Sequence, residues 1–423
     1  MLGNSKQKWL SVKHRRLLSN ILSLGTMQIV GYILPLLTVP YLVRVLGVEK
    51  FGLLAFATAL NMYFLMLSDY GFNLTATKQI SDARDDKGKY SDIFIEVLGV
   101  KLILVVFCFF VLLSVASFVD FFEQYRFIWF LGFGMVLGQA LFPVWFFQGM
   151  EAMKHIAIIN LISKGLFTLI IFVIVNEPKD YWLVPALTSL GYVFSGFYGL
   201  VFAINNYDIK LKWPSAKGMK FQISDGWHVF LSRVYVNLYT TTNIVILGAM
   251  TNNVMVGYYS IAEKILQAFS GLLSPVTYAF YPYLANLYQN SRKYFYMVFA
   301  RLNMTLLVLS ITFALVVYLY SQEIVWLLSG GFNDNIIEVL SVLCVAMVVA
   351  PFGSSFTNAL LILGDSKGVS LVVFYTMLLN MIIVFPMIYY FEAVGLAYTW
   401  VVGQIFHVII YSCRYFVVRQ RGA

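Results

Sequence analysis

The stretch IEVLGVKLILVVFCFFVLL, residues 95–113, decides the class of fold: an apolar run long enough to cross a bilayer, holding a single lysine, Lys101. Leu102 to Val119 contain no Asp, Glu, Lys or Arg, and neither do Val234 to Ala262. Uncharged apolar runs of about 18 residues or more read as membrane-spanning helices. Lys101 then sits where a charge costs roughly 3 kcal/mol. It needs either a short reach to a helix end or a counter-charge.

The rest of the chain agrees. Of 423 residues, 60% are hydrophobic and 12% charged, with a mean hydropathy of +0.80. A soluble protein of this size cannot hide that much apolar surface. The sequence predicts an all-α polytopic membrane protein of about 12 helices, within 18–42, 51–76, 92–118, 126–148, 156–176, 181–204, 226–250, 254–285, 295–320, 336–362, 368–391 and 394–417. Basic residues cluster at 6–16, 78–89, 210–220 and 414–421, whereas the opposite side carries Arg44, Lys50, Arg126 and Lys179. That asymmetry predicts cytoplasmic termini. It also accounts for the net charge of +9 without invoking nucleic acid. The basic start KQKWLSVKHRRLLSN (6–20) precedes an apolar segment too long for a cleaved signal peptide, and is expected to remain as a cytoplasmic anchor. Cys108, Cys344 and Cys413 lie in apolar helices without paired spacing, which implies packing rather than a disulfide or a metal site.

The longest interior break, NNYDIKLKWPSAKGMKFQISD (205–225), is read as a cytoplasmic linker. It separates an N-terminal lobe, 1–204, from a C-terminal lobe, 226–423, with six helices each. The halves share a pattern. VLGVEKFGLLAFA (45–57) matches ILGAMTNNVMVGYYSIA (246–262), with Gly52 and Gly257 lying 205 residues apart. Lys89-Tyr90 recurs as Lys293-Tyr294, and Pro143 as Pro351, at similar offsets. An even number of helices per half predicts a parallel repeat, related by a pseudo-two-fold axis along the membrane normal.

Five cations fall inside predicted helices: Lys101, Lys164, Arg233, Lys264 and Arg301. At about 1.5 Å per residue, the three lysines lie near mid-depth, while the two arginines are close enough to helix ends to snorkel. Against them stand Asp69, Glu96 and Glu263. The excess of cations calls for an anionic ligand or a watery cavity. Polar stripes at helical spacing mark a cavity face: Asn160, Lys164 and Thr168; Arg233, Asn237 and Thr241; Ser260, Lys264 and Gln267; Gln404, His407 and Tyr411. A single stripe fits ordinary interhelical hydrogen bonding. Stripes on both halves, with cations among them, predict a shared aqueous cleft.

Enzyme readings are thin. No GxxxxGK[ST] phosphate loop is present, and His14, His155, His228 and His407 show no paired-ligand spacing. The longest outer loop, SQEIVWLLSGGFNDN (321–335), has no Lys, Arg or His to serve a membrane glycan polymerase. No cofactor or metal is expected.

The segments LPLLTVPYLVRVLGVEKFGLLAFATAL (34–60) and LSDYGFNLTATKQIS (67–81), with Arg44, Gly47, Gly52, Asp69, Gly71 and Asn73, resemble the polysaccharide-transport branch of the multidrug/oligosaccharidyl-lipid/polysaccharide exporters. Within it, they are similar to the Wzx-type O-antigen flippases, as is YYSIAEKI at 258–265. The resemblance implies a two-lobed, V-shaped carrier with a central cavity in a bacterial inner membrane. It would move undecaprenyl-pyrophosphate-linked oligosaccharide from the cytoplasmic to the periplasmic leaflet. Its partners would be that substrate, membrane lipids, and a polymerase and chain-length regulator of the same pathway. Cavity cations map by helical position onto Lys101, Lys164, Arg233, Lys264 and Arg301. Arg44, Asp69, Asn73, Asn160, Asn237, Thr241, Glu263, Gln267 and Gln404 are polar or coupling candidates. Pyrophosphate is then the anion expected to satisfy Lys101. Coupling to the membrane potential, to protons or to sodium stays open. So do a capsule or teichuronic-type polysaccharide exporter and a drug exporter, although cationic drugs favour acids in the cleft.

Overall fold

Uncharged apolar runs in a bilayer must satisfy their backbone internally, and among the described residues they do so as helices without strands. The computed structural model describes the backbone of residues 2–118, 123 and 125–421, and side chains from residue 34 onward apart from 35, 239, 274–276, 278, 279 and 421. The side chains of the basic 6–16 cluster lie outside the described residues.

Helix α1, Leu2–Asp69, is bent at Gly47, whose φ of 79° suits a residue without a Cβ. It is followed by α2 (Phe72–Asp82), α3 (Lys87–Phe118), α4 (Arg126–Leu141), α5 (Val144–Gly149), α6 (Met153–Ile174) and α7 (Leu183–Asn206). The rest of the chain forms α8 (Ala216–Met250), α9 (Asn253–Asn290), α10 (Arg292–Leu319), α11 (Ser321–Ser329), α12 (Asp334–Ile362) and α13 (Ser366–Arg421). Helix α13 is bent at Glu392. With the two bent helices counted as two arms each, and α4 joined to α5 across Pro143, these are the twelve long helices expected. Eight runs among the described residues are long and apolar enough to cross a membrane. The chain is a multi-pass membrane protein.

Two boundaries differ from expectation. Helix α8 begins at Ala216, so the second half of the expected linker is helical. The Ser215 hydroxyl caps it, accepting from the Gly218 amide at 3.2 Å. The expected outer loop at 321–335 contains α11, which ends at Gly330 with φ 75°. The paired prolines also diverge, since Pro143 breaks its helix whereas Pro351 stays inside α12.

The compact units depart from the sequence halves. One joins Met1–Leu34 with Leu60–Val234, the other Pro35–Ala59 with Tyr235–Ala423. Packing explains the exchange. In the first unit, the Tyr70 ring stacks on Phe230 of α8 at 4.6 Å between centroids. In the second, a Cβ built on Gly52 would lie 1.8 Å from the Asn253 carbonyl oxygen, and one on Gly257 would lie 2.5 Å from that of Val48.

That second contact carries the repeat. Val48 matches Asn253, and Gly52 matches Gly257, at the same offset of 205. Position 52 therefore touches the counterpart of 48, and the counterpart of 52 touches 48. A contact that is its own image is what two copies about a local two-fold axis produce. Glycine is required because backbone meets backbone there.

Gly52→Ala and Gly257→Ala are each expected to destabilise the protein by roughly 2–3 kcal/mol, as overpacking does. Gly165, with nothing within 4 Å of its built Cβ, should accept alanine neutrally or gain up to about 1 kcal/mol. Thermal unfolding of the three detergent-solubilised variants checks the ordering.

Candidate functional site

Helix α1 stops at Asp69 because Tyr70 (φ 46°) and Gly71 (φ 86°) both take left-handed backbone. Crowding makes Gly71 necessary, since a Cβ there would fall 2.6 Å from Cγ1 of Val229. The break presents Asp69 to α3, where Oδ1 stands 3.1 Å from Lys101 Nζ. Asn73, in the first turn after the break, donates from Nδ2 to the other carboxylate oxygen at 2.5 Å. The Thr77 hydroxyl, 3.1 Å from the Trp145 carbonyl, ties α2 to α5.

The Lys101 side chain is 2% exposed and that of Asp69 19%. Its counter-charge is therefore inside the chain. This corrects the expectation that an external anion satisfies Lys101: the lysine is a buried half of an ion pair, placed by the Asp69-Tyr-Gly71-Phe-Asn73 motif.

The other mid-depth lysines differ. Lys164 on α6 holds its ammonium 4.2 Å from the ring centroid of Tyr192 on α7, an arrangement that leaves the full positive charge in place. Lys264 on α9 donates to Gln267 Oε1 at 3.1 Å, one turn along the same helix. Neither forms an ion pair among the described residues. Glu263, adjacent to Lys264 in sequence and half-buried, lies close enough to act on its charge and shares Gln267 with it. Arg233 and Arg301 are exposed, on α8 and α10.

Several polar candidates serve local structure. Asn160 donates to the Ile156 carbonyl of its own helix at 3.0 Å, and Thr241 donates to Asn237 Oδ1 at 3.2 Å. Arg44 donates to the Leu327 carbonyl at 2.5 Å and lies over Trp326. It caps the C-terminal end of α11, where a cation meets the unpaired carbonyls. This corrects its assignment to the cavity. Gln404 is half-buried, one turn before His407, whose Nδ1 is 3.2 Å from the Thr376 hydroxyl. Glu96 accepts from Gln222 Nε2 at 3.4 Å. Sequence reasoning missed Tyr192 and Gln222. The first carries no polar-stripe signal, and the second lay in the presumed linker. Among the described residues, no group of three or more His, Cys, Asp or Glu could hold a metal ion.

Residues 17–288 match the family described as "Polysaccharide biosynthesis protein". A protein of Escherichia coli (strain K12), named "Putative O-antigen transporter", is 30% identical over 385 residues, covering 90% of this chain and 92% of the relative. A protein of Shigella dysenteriae with the same name is 26% identical, covering 89% and 94%. Among solved structures, the lipid II flippase MurJ in an inward closed conformation superposes with a TM-score of 0.71 at 13% identity, covering 93% of this chain and 85% of MurJ. An inward-facing multidrug resistance MATE family transporter gives 0.70 at 13% identity, covering 92% and 99%. At such identities the structures establish the shared fold.

Lys101→Met or Asp69→Asn alone leaves a buried charge without its partner and should cost about 3–5 kcal/mol. The double variant removes both charges and should recover most of that loss. Thermal unfolding of the two single variants and the double, solubilised in detergent, measures this, and a double variant no better than the singles would break the pairing account.

Proposed function

The chain belongs to the polysaccharide biosynthesis protein family, and we propose that it is a flippase for lipid-linked glycans. It carries undecaprenyl-pyrophosphate-linked O-antigen units from the cytoplasmic to the periplasmic leaflet of a bacterial inner membrane by alternating access. Its termini are then cytoplasmic, a placement that the distribution of basic residues supports. The flipped unit passes to the polymerase and chain-length regulator of the same pathway.

The observation that carries this reading is the state of Lys164 and Lys264. Each compact unit holds one such lysine within a helix of the bundle, neither in a salt bridge among the described residues, with Glu263 the one carboxylate shown to act on Lys264. A pyrophosphate supplies the charge they need, while a cationic drug would be repelled. The two curated relatives, named as O-antigen transporters, favour the glycan branch over the drug exporters whose fold is shared.

The ion pair changes the energetics. With Lys101 neutralised by Asp69, the summed charge of Lys164 and Lys264 balances the roughly two negative charges of a carried pyrophosphate, so the loaded carrier moves little net charge. The empty carrier is cationic and is drawn back by a negative interior. Each charge crossing 100 mV is worth roughly 2.3 kcal/mol, so the potential drives the reset by about 4–5 kcal/mol per 100 mV if both lysines cross the whole field.

Lys164→Ala and Lys264→Ala are each expected to lower surface glycan about tenfold or more, the loss of a charged hydrogen bond. Arginine at either position should retain more. The assay is surface glycan in a strain lacking its own transporter, at matched membrane levels of each variant. Normal glycan in both alanine variants would refute the proposal. In proteoliposomes, an imposed potential alone should accelerate multiple-turnover flipping, and indifference to potential combined with response to a proton or sodium gradient would replace potential-driven reset with ion antiport.

A further inference from the structure

The segment joining α7 to α8 leaves the membrane-spanning helices yet stays strongly apolar on its outer side. Trp213 is 94% exposed, Leu211 67% and Phe221 57%, and these residues lie outside the runs that are apolar and long enough to cross a membrane. Lysines interleave with them at 210, 212, 217 and 220, all exposed.

The opposite side of the segment is fixed to the first compact unit. Gln222, buried, donates to Gln79 Oε1 at 3.0 Å, and Gln79 donates to Asp225 at 2.9 Å. Gly99 on α3 leaves room for Pro214 and Met219, which a Cβ there would meet at 3.1 and 3.3 Å. Nearby acids are engaged too. Asp208 pairs with Lys87 at 3.0 Å, and Asp92 pairs with Lys212. Lys210, Lys217 and Lys220 form no ion pair among the described residues.

We propose that residues 210–221 are a membrane-surface anchor for anionic phospholipid, with Trp213 seated at headgroup depth and Lys210, Lys217 and Lys220 against the phosphates. An exposed tryptophan bordered by lysines is the chemistry of the bilayer interface: an amphipathic ring at the boundary, and cations meeting negative lipid. Docking on α2 and α3 pre-orders the segment, so that it presents this face without having to fold on contact. The anchor holds the first unit at the leaflet where α7 ends. It does not depend on which glycan the protein carries.

The test uses the full chain with Cys108→Ala, Cys344→Ala and Cys413→Ser, carrying a nitroxide at Leu211→Cys, in nanodiscs of phosphatidylcholine alone or mixed with phosphatidylglycerol. Depth is read by the accessibility of the nitroxide to a water-soluble relaxation agent and to oxygen. The expected result is protection from the aqueous agent in the anionic discs, weakened by salt. Each of Lys210→Gln, Lys217→Gln and Lys220→Gln should lower the engagement equilibrium about fivefold. Equal exposure to water in both discs would overturn the proposal. Equal protection in both would also overturn it, because the aromatic side chains alone would then suffice. Trp213→Ala, as a second variant, should release the label in anionic discs while leaving the melting temperature of this exposed site unchanged.

Discussion

A charge inside a bilayer must be neutralised, hydrated or brought to an edge, and that constraint sorts the cations of this protein. Lys101 is neutralised by Asp69 and sealed from solvent. Arg233 and Arg301 are exposed, on α8 and α10. Lys164 and Lys264 remain, one resting on an aromatic ring and the other on an amide. Neither contact cancels a charge, although the neighbouring Glu263 acts on that of Lys264. The proposed pyrophosphate chemistry rests on this remainder, which is smaller than a count of intramembrane lysines and arginines suggests.

The buried pair also shapes its surroundings. Asp69 reaches Lys101 only because the helix breaks at Tyr70 and Gly71, and the same break accepts Val229 and Phe230 of α8. Charge burial, a left-handed turn and helix packing therefore meet at one motif. A substitution at Gly71 would disturb all three. The glycine crossing at Gly52 and Gly257 plays the corresponding part in the second unit, where the two sequence repeats touch through equivalent positions.

Much of this was legible in the sequence. Uncharged runs announce the spans because the bilayer admits few alternatives, and the offset of 205 announces the repeat because both copies keep a glycine at the crossing. The pairing of Asp69 with Lys101 was hidden, because the two residues sit on different helices and only the break at Tyr70 aims one at the other. The start of α8 was hidden by its lysines and glycine, which read as loop, although Met219, Gln222, Gly226 and Val229 follow a helical spacing. Arg44 was misplaced for a similar reason: its carbonyl partner, Leu327, is 283 residues away.

The most direct measurement of the central claim is transbilayer movement of the substrate itself. Purified protein is reconstituted into vesicles with a fluorescent pyrophosphate-linked prenyl oligosaccharide in both leaflets, and a membrane-impermeant quencher is added outside. The account predicts that the inner-leaflet pool becomes accessible at a rate set by the protein, and that Lys164→Ala and Lys264→Ala slow it without changing insertion. An inner pool as inaccessible as in protein-free vesicles, with the protein correctly folded and inserted, would contradict it.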